Sequence, residues 1–127
     1  MKQILQDLNS GNTFLEVVPI PKVKKGHILI KTTRSLISKG TEKMLVDFGK
    51  SSILNKIKSQ PEKVNQVLDK IKTDGISQTI KTVNRKLNTP IPLGYSNCGL
   101  VVEIADDVTD FKVGDRVASN GQHAEFV

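Results

Sequence analysis

Tryptophan is absent from this 127-residue chain, tyrosine and cysteine occur once each, and aromatic residues make up only 4%. With so few rings, the core has to come from Ile, Leu and Val. One cysteine, Cys98, excludes an intramolecular disulfide and any zinc site built from several thiolates. No apolar run approaches the ~20 residues of a membrane-spanning helix. The opening MKQILQDLNSGN is interrupted by Gln3, Gln6 and Asp7, unlike the apolar heart of a signal peptide. These absences lead us to expect a reducing, cytoplasmic setting and no membrane partner.

What is there describes one domain with one core: 37% hydrophobic and 25% charged residues. The net charge of +6 is uneven. Between Lys43 and Asn88 ten Lys/Arg stand against four Asp/Glu, whereas the remainder carries nine of each. Such a segment suits either nucleic acid or the solvated face of helices, and the solvated face is the reading favoured here.

The outline is β, then helical, then β. Thr13–Val18 is rich in branched residues and is stopped by Pro19 and Pro21. Lys24-Lys25-Gly26 makes a turn, and the run from His27 to Ser35 begins by alternating, which predicts Ile28 and Ile30 on one face and Leu29 on the other. Thr41 is the expected cap of a helix that buries Met44, Leu45 and Phe48 and ends at Gly49. Ser51 or Ser52 caps a second, burying Ile53, Leu54 and Ile57. Ser59-Gln60-Pro61-Glu62 reads as a capping box ahead of a stripe of Val64, Val67, Leu68 and Ile71. After Asp74-Gly75 a further stripe runs through Ile76, Ile80, Val83 and Leu87. From Leu93 strands return at Gly99–Ala105, Asp115–Ser119 and Ala124–Val127. A strand that runs to the last residue leads us to expect a fragment of a longer protein.

Five stretches in order carry a resemblance: PKVKKGHILIK (21–31), ISKGTEKML (37–45), LGYSNCGLVVE (93–103), DFKVGDRVA (110–118) and AEFV (124–127). Together they resemble the N-terminal GroES-like domain of medium-chain dehydrogenases/reductases, the alcohol dehydrogenase-like superfamily. The GTE loop with a long helical insert is similar, more narrowly, to the front end of bi-domain oxidoreductases that join such a domain to a Gfo/Idh/MocA-like half. The resemblance implies an α+β fold: a single GroES-like, partly open β-barrel over 1–127 with a helical insert within about 41–88.

It also implies a site. The family's metal-binding cysteine falls near Ser38 or Lys39, its histidine at Tyr95 and the neighbouring glutamate at Ser96, so no metal ligand stands there. Without zinc, a substrate carbonyl would be polarised by hydrogen bonds. Tyr95, Ser38 and Thr41 are the candidate catalytic hydroxyls, His123 is the candidate general acid/base, and Asn97 is a candidate substrate contact. Bland roles compete with each: helix capping for Ser38 and Thr41, edge packing for Tyr95, an ordinary surface position for His123. Glu42 needs no role beyond the helix dipole, and Cys98 is expected to be small, buried packing.

The family's NAD(P) sits on a Rossmann domain with a Gly-rich turn, and no G-x-G-x-x-G occurs here. The chain is therefore expected to bind no cofactor alone and to be incompetent for hydride transfer by itself. It would form the substrate side of a zinc-independent NAD(P)-dependent oxidoreductase acting on a small molecule, with a Rossmann domain C-terminal to it. A non-catalytic scaffold or interaction domain is the alternative, and a basic nucleic-acid-binding module is a third reading.

Overall fold

The computed structural model describes residues 1–127, the side chain of Ile53 excepted. The elements run β1 (Lys2–Gln6), β2 (Thr13–Val17), β3 (Ile28–Ser35), α1 (Lys39–Lys50), α2 (Ile53–Ser59), α3 (Pro61–Asp74), α4 (Ile76–Leu87), β4 (Ile91–Pro92), β5 (Asn97–Ile104) and β6 (Arg116–Ser119). The fold is α+β, with sheets ordered β2-β1-β4 and β3-β5-β6 that do not close into a barrel. The chain divides into two compact units: Met1–Leu5, Phe14–Lys43 and Pro92–Val127 form the first, Gln6–Thr13 and Met44–Ile91 the second.

In the first unit β3 and β5 pair antiparallel, and β6 adds to the far edge of β5. The expected alternation of β3 fails at one point. A register shift between Leu29 and Ile30 turns both inward, and both are buried. A bulge of this kind resets the period-2 pattern. The last five residues form no regular strand, yet they hydrogen-bond to both sheets. Glu125 N–H donates to Lys2 and Ile4 N–H to His123, while Val127 and Ile30 exchange both backbone bonds.

The 111–115 turn behaves as its residues dictate. Gly114 adopts φ 95°, open to a residue without Cβ, and the Asp115 carboxylate accepts the Lys112 N–H at 2.9 Å. Cys98 corrects an expectation, being exposed rather than buried. It stands on the face of β5 opposite the buried Asn97, Gly99 and Val101.

The second unit holds the helices. Ser52 caps α2, accepting the Asn55 N–H at 3.3 Å. The expected capping box at 59–62 does not form. Ser59 closes α2, Gln60 makes no side-chain cap, and Pro61 opens α3 because its missing N–H costs nothing there. Gly75 separates α3 from α4, as the sequence suggests. The apolar stripes are less covered than their spacing predicts: Leu54, Ile57, Leu68, Ile76 and Ile80 are exposed, and Thr79 is the buried residue of α4. Burial expected at Ile53 lies outside the described residues. Gly49 lies inside α1 rather than at its end, buried against Gln6.

Candidate functional site

The site grows from the start of α1. Ser38, rather than Thr41, takes the N-cap place: its carbonyl accepts the Glu42 N–H at 3.0 Å. The Glu42 carboxylate reaches back, and its Oε1 accepts the Ser38 N–H at 2.8 Å. The first is the opening bond of the helix, and the second is the carboxylate half of a capping box, displaced by one residue. Together they leave Thr41 within the first turn, with its hydroxyl free for another partner.

That partner is Tyr95. Its phenol donates to Thr41 Oγ1 at 3.5 Å, the outer limit of a hydrogen bond, and the ring is half-exposed. The Ser38 hydroxyl, and then that of Thr41, hold the Tyr95 phenol below its ordinary range by stabilising the phenolate. Partial burial and the Glu42 charge oppose them. Tyr95 follows Gly94, whose φ of 89° turns the chain out of β4.

Beneath this hydroxyl cluster lies a buried polar chain. His123 is 7% exposed, not a surface histidine, and Glu42 is also 7% exposed. Imidazole Nε2 lies 2.9 Å from Glu42 Oε2, and Nδ1 lies 2.9 Å from Ser35 Oγ. With Glu42 already accepting from Ser38, the network suits an Nε2–H donating to the carboxylate and a Ser35 hydroxyl donating to Nδ1. The His123 backbone N–H donates to Leu93 O at 2.8 Å.

Of the residues singled out from sequence, Ser38, Thr41 and Tyr95 meet directly, and His123 joins them through Glu42. Asn97 stands apart. It is 3% exposed, donates to Thr32 Oγ1 at 3.0 Å and accepts from Ser119 Oγ at 2.7 Å, cross-linking β3, β5 and β6. Sequence reasoning missed Glu42 and Ser35. The Ser-x-x-x-Glu spacing at 38–42 carried a signal for Glu42, whereas nothing local marked Ser35.

The donors around Tyr95 are neutral hydroxyls, and the one imidazole and carboxylate nearby are bonded to each other. Zinc takes thiolate, imidazole and carboxylate ligands. No three His, Cys, Asp or Glu residues come together among the described residues. The donor set does not fit that metal.

The family model of the alcohol dehydrogenase GroES-like domain matches residues 64–126, beginning inside α3 and running through the Tyr95 turn to His123. The chain is 38% identical over 84 residues, 61% of its length, to the mitochondrial NAD(P)H oxidoreductase RTN4IP1 of Dictyostelium discoideum. It covers 22% of that protein, so it spans about a fifth of the relative it matches. No solved structure gives a significant match. Residues 64–126 thus carry the GroES-like domain of the alcohol dehydrogenase superfamily.

Proposed function

We propose that this chain is the substrate-side domain of an NAD(P)-dependent oxidoreductase that works without zinc. The observation that carries the reading is the half-exposed Tyr95 phenol flanked by the Ser38 and Thr41 hydroxyls, in the segment where the family resemblance puts its metal ligands. A Rossmann domain elsewhere in the full-length protein would hold the nicotinamide, which supplies the hydride when bound. The narrower resemblance to bi-domain oxidoreductases motivates this arrangement, and the NAD(P)H oxidoreductase relative supports it.

The chemistry follows from the hydroxyls. A carbonyl oxygen seated at Tyr95 accepts the phenolic hydrogen bond, which strengthens as negative charge develops on that oxygen. The phenol then delivers its proton, and Ser38 and Thr41 stabilise the phenolate left behind. The same two bonds lower the Tyr95 pKa and ease that transfer.

The test uses the full-length protein with its nicotinamide cofactor and a reducible carbonyl substrate. Tyr95→Phe is expected to lower kcat/KM by roughly 100-fold, in line with loss of a positioned proton donor, and a chelator is expected to leave the rate unchanged. Undiminished turnover in Tyr95→Phe and in His123→Ala would favour the scaffold reading of this domain. Activity lost to the chelator and restored by zinc would sink the metal-free one.

A further inference from the structure

Tyr95 and its two hydroxyl partners come from segments far apart in the chain, and the one bond measured between them is long, 3.5 Å. Something else must set their geometry. His123 touches both sides. Towards the tyrosine, its backbone N–H holds Leu93 O at 2.8 Å and its ring lies flush on Gly94, where a Cβ would come within 2.7 Å of the imidazole Cγ. Towards the helix, its Nε2 holds the Glu42 carboxylate, whose other oxygen holds the Ser38 N–H. Ser35 fixes the ring from its remaining nitrogen.

We propose that His123 is a positioning residue that joins the Leu93–Tyr95 turn to the first turn of α1, so that the Ser38 and Thr41 hydroxyls face the Tyr95 phenol. The proposal rests on the functional reading above only for its meaning in catalysis; the joint itself belongs to this chain. Glu42 is the lever. One carboxylate links His123 to the backbone of Ser38, so displacing the imidazole frees the helix start that carries both hydroxyls. The burial of Glu42 and His123 leaves few other geometries for this pair. A histidine that merely filled space would need neither of the two polar contacts its ring makes.

Tyr95 is the sole tyrosine and the chain has no tryptophan, so phenolate absorbance near 295 nm reports this one group. The experiment titrates the intact 127-residue chain as wild type, His123→Phe, Ser38→Ala/Thr41→Val and the triple variant, with circular dichroism verifying that each is folded. His123→Phe is expected to move the Tyr95 midpoint up, towards that of a free phenol. In the Ser38→Ala/Thr41→Val background that shift should vanish, because His123 acts through those hydroxyls. If His123→Phe does not fold, His123→Gln replaces it throughout. Glutamine can still bond Glu42 but lacks the ring on Gly94, so its midpoint should fall between those of wild type and Ser38→Ala/Thr41→Val. A wild-type midpoint in the folded variant overturns the proposal, and so does a shift that persists without the two hydroxyls. Both results stand whatever activity the full-length protein proves to have.

Discussion

His123→Ala should be among the most damaging single substitutions in the first unit. The imidazole and the Glu42 carboxylate have side chains only 6% and 10% exposed, and they meet at 2.9 Å. Removing the hydrogen-bond partner of a buried carboxylate costs about 3–5 kcal/mol, because the charge is left desolvated without compensation. Glu42 keeps its bond from the Ser38 N–H, which puts the electrostatic loss at the low end, about 3 kcal/mol. Ser35 is exposed and regains water at little cost, while the lost ring contact with Gly94 adds to the deficit. Among the described residues only Leu29, Ile30, Leu93, Val101 and Ala124 are buried and apolar, so total stability belongs at the low end of the usual 5–15 kcal/mol. The substitution should remove about half of it and lower Tm by roughly 10–15 °C.

Urea denaturation followed by circular dichroism at 222 nm measures this directly. The sharper comparison adds Glu42→Gln. If the cost of His123→Ala is an orphaned charge, neutralising Glu42 in the same chain should recover about 1–2 kcal/mol of it. A loss below ~1 kcal/mol for His123→Ala would refute the reasoning. A double variant less stable than His123→Ala alone would refute it equally.

Three further substitutions probe the neighbouring structure. Asn97→Leu strands the Thr32 and Ser119 hydroxyls between β3, β5 and β6, and urea titration should show a loss of about 2 kcal/mol. Gly94→Ala forces a Cβ onto the His123 ring at a φ of 89°, so it should cost about 2–3 kcal/mol and weaken hydrogen-exchange protection of the His123 amide. Asp7 accepts backbone bonds from Asn9 and Ser10 and a hydroxyl bond from Ser10, with Asn9 the main cause of its lowered pKa. A carboxyl lowered on folding contributes stability above its unfolded value, near 4, and loses it as pH falls through the folded value. Asp7→Asn should therefore flatten the acid limb of the pH–stability curve, and profiles that stay parallel would reject that role.

The order of elements was legible because each rests on local chemistry. Gly26, Gly75 and Gly114 stand at turns with positive φ, Pro61 opens a helix, and Ser52 caps one. What misled were inferences that needed distant partners. Period 2 placed Leu29 away from the core, but a bulge set by pairing with β5 turns it in. Helical stripes marked Ile76 and Ile80 for burial, yet spacing shows only that a face is apolar, not that anything covers it. Ser38 and Tyr95 could be named because the family resemblance aligns them with its metal-ligand slots, and Thr41 because the resemblance puts it along the cleft. Ser35 could not, since its partner is 88 residues away.

Glu42 shows how magnitude separates the two kinds of inference. As an acid in the first turn of a helix it is worth about 0.3–1 kcal/mol through the dipole, and that was sufficient reason for its presence in the sequence. The same energy cannot account for a carboxylate buried to 7% exposure, because desolvating such a charge costs several kcal/mol. The deficit has to be met by hydrogen bonds to both oxygens, and they come from the Ser38 N–H and from an imidazole 81 residues away. A residue whose local role is minor thus becomes the one that ties the helix start to the Tyr95 turn. Its burial, invisible in the sequence, makes His123 a partner the site cannot lose.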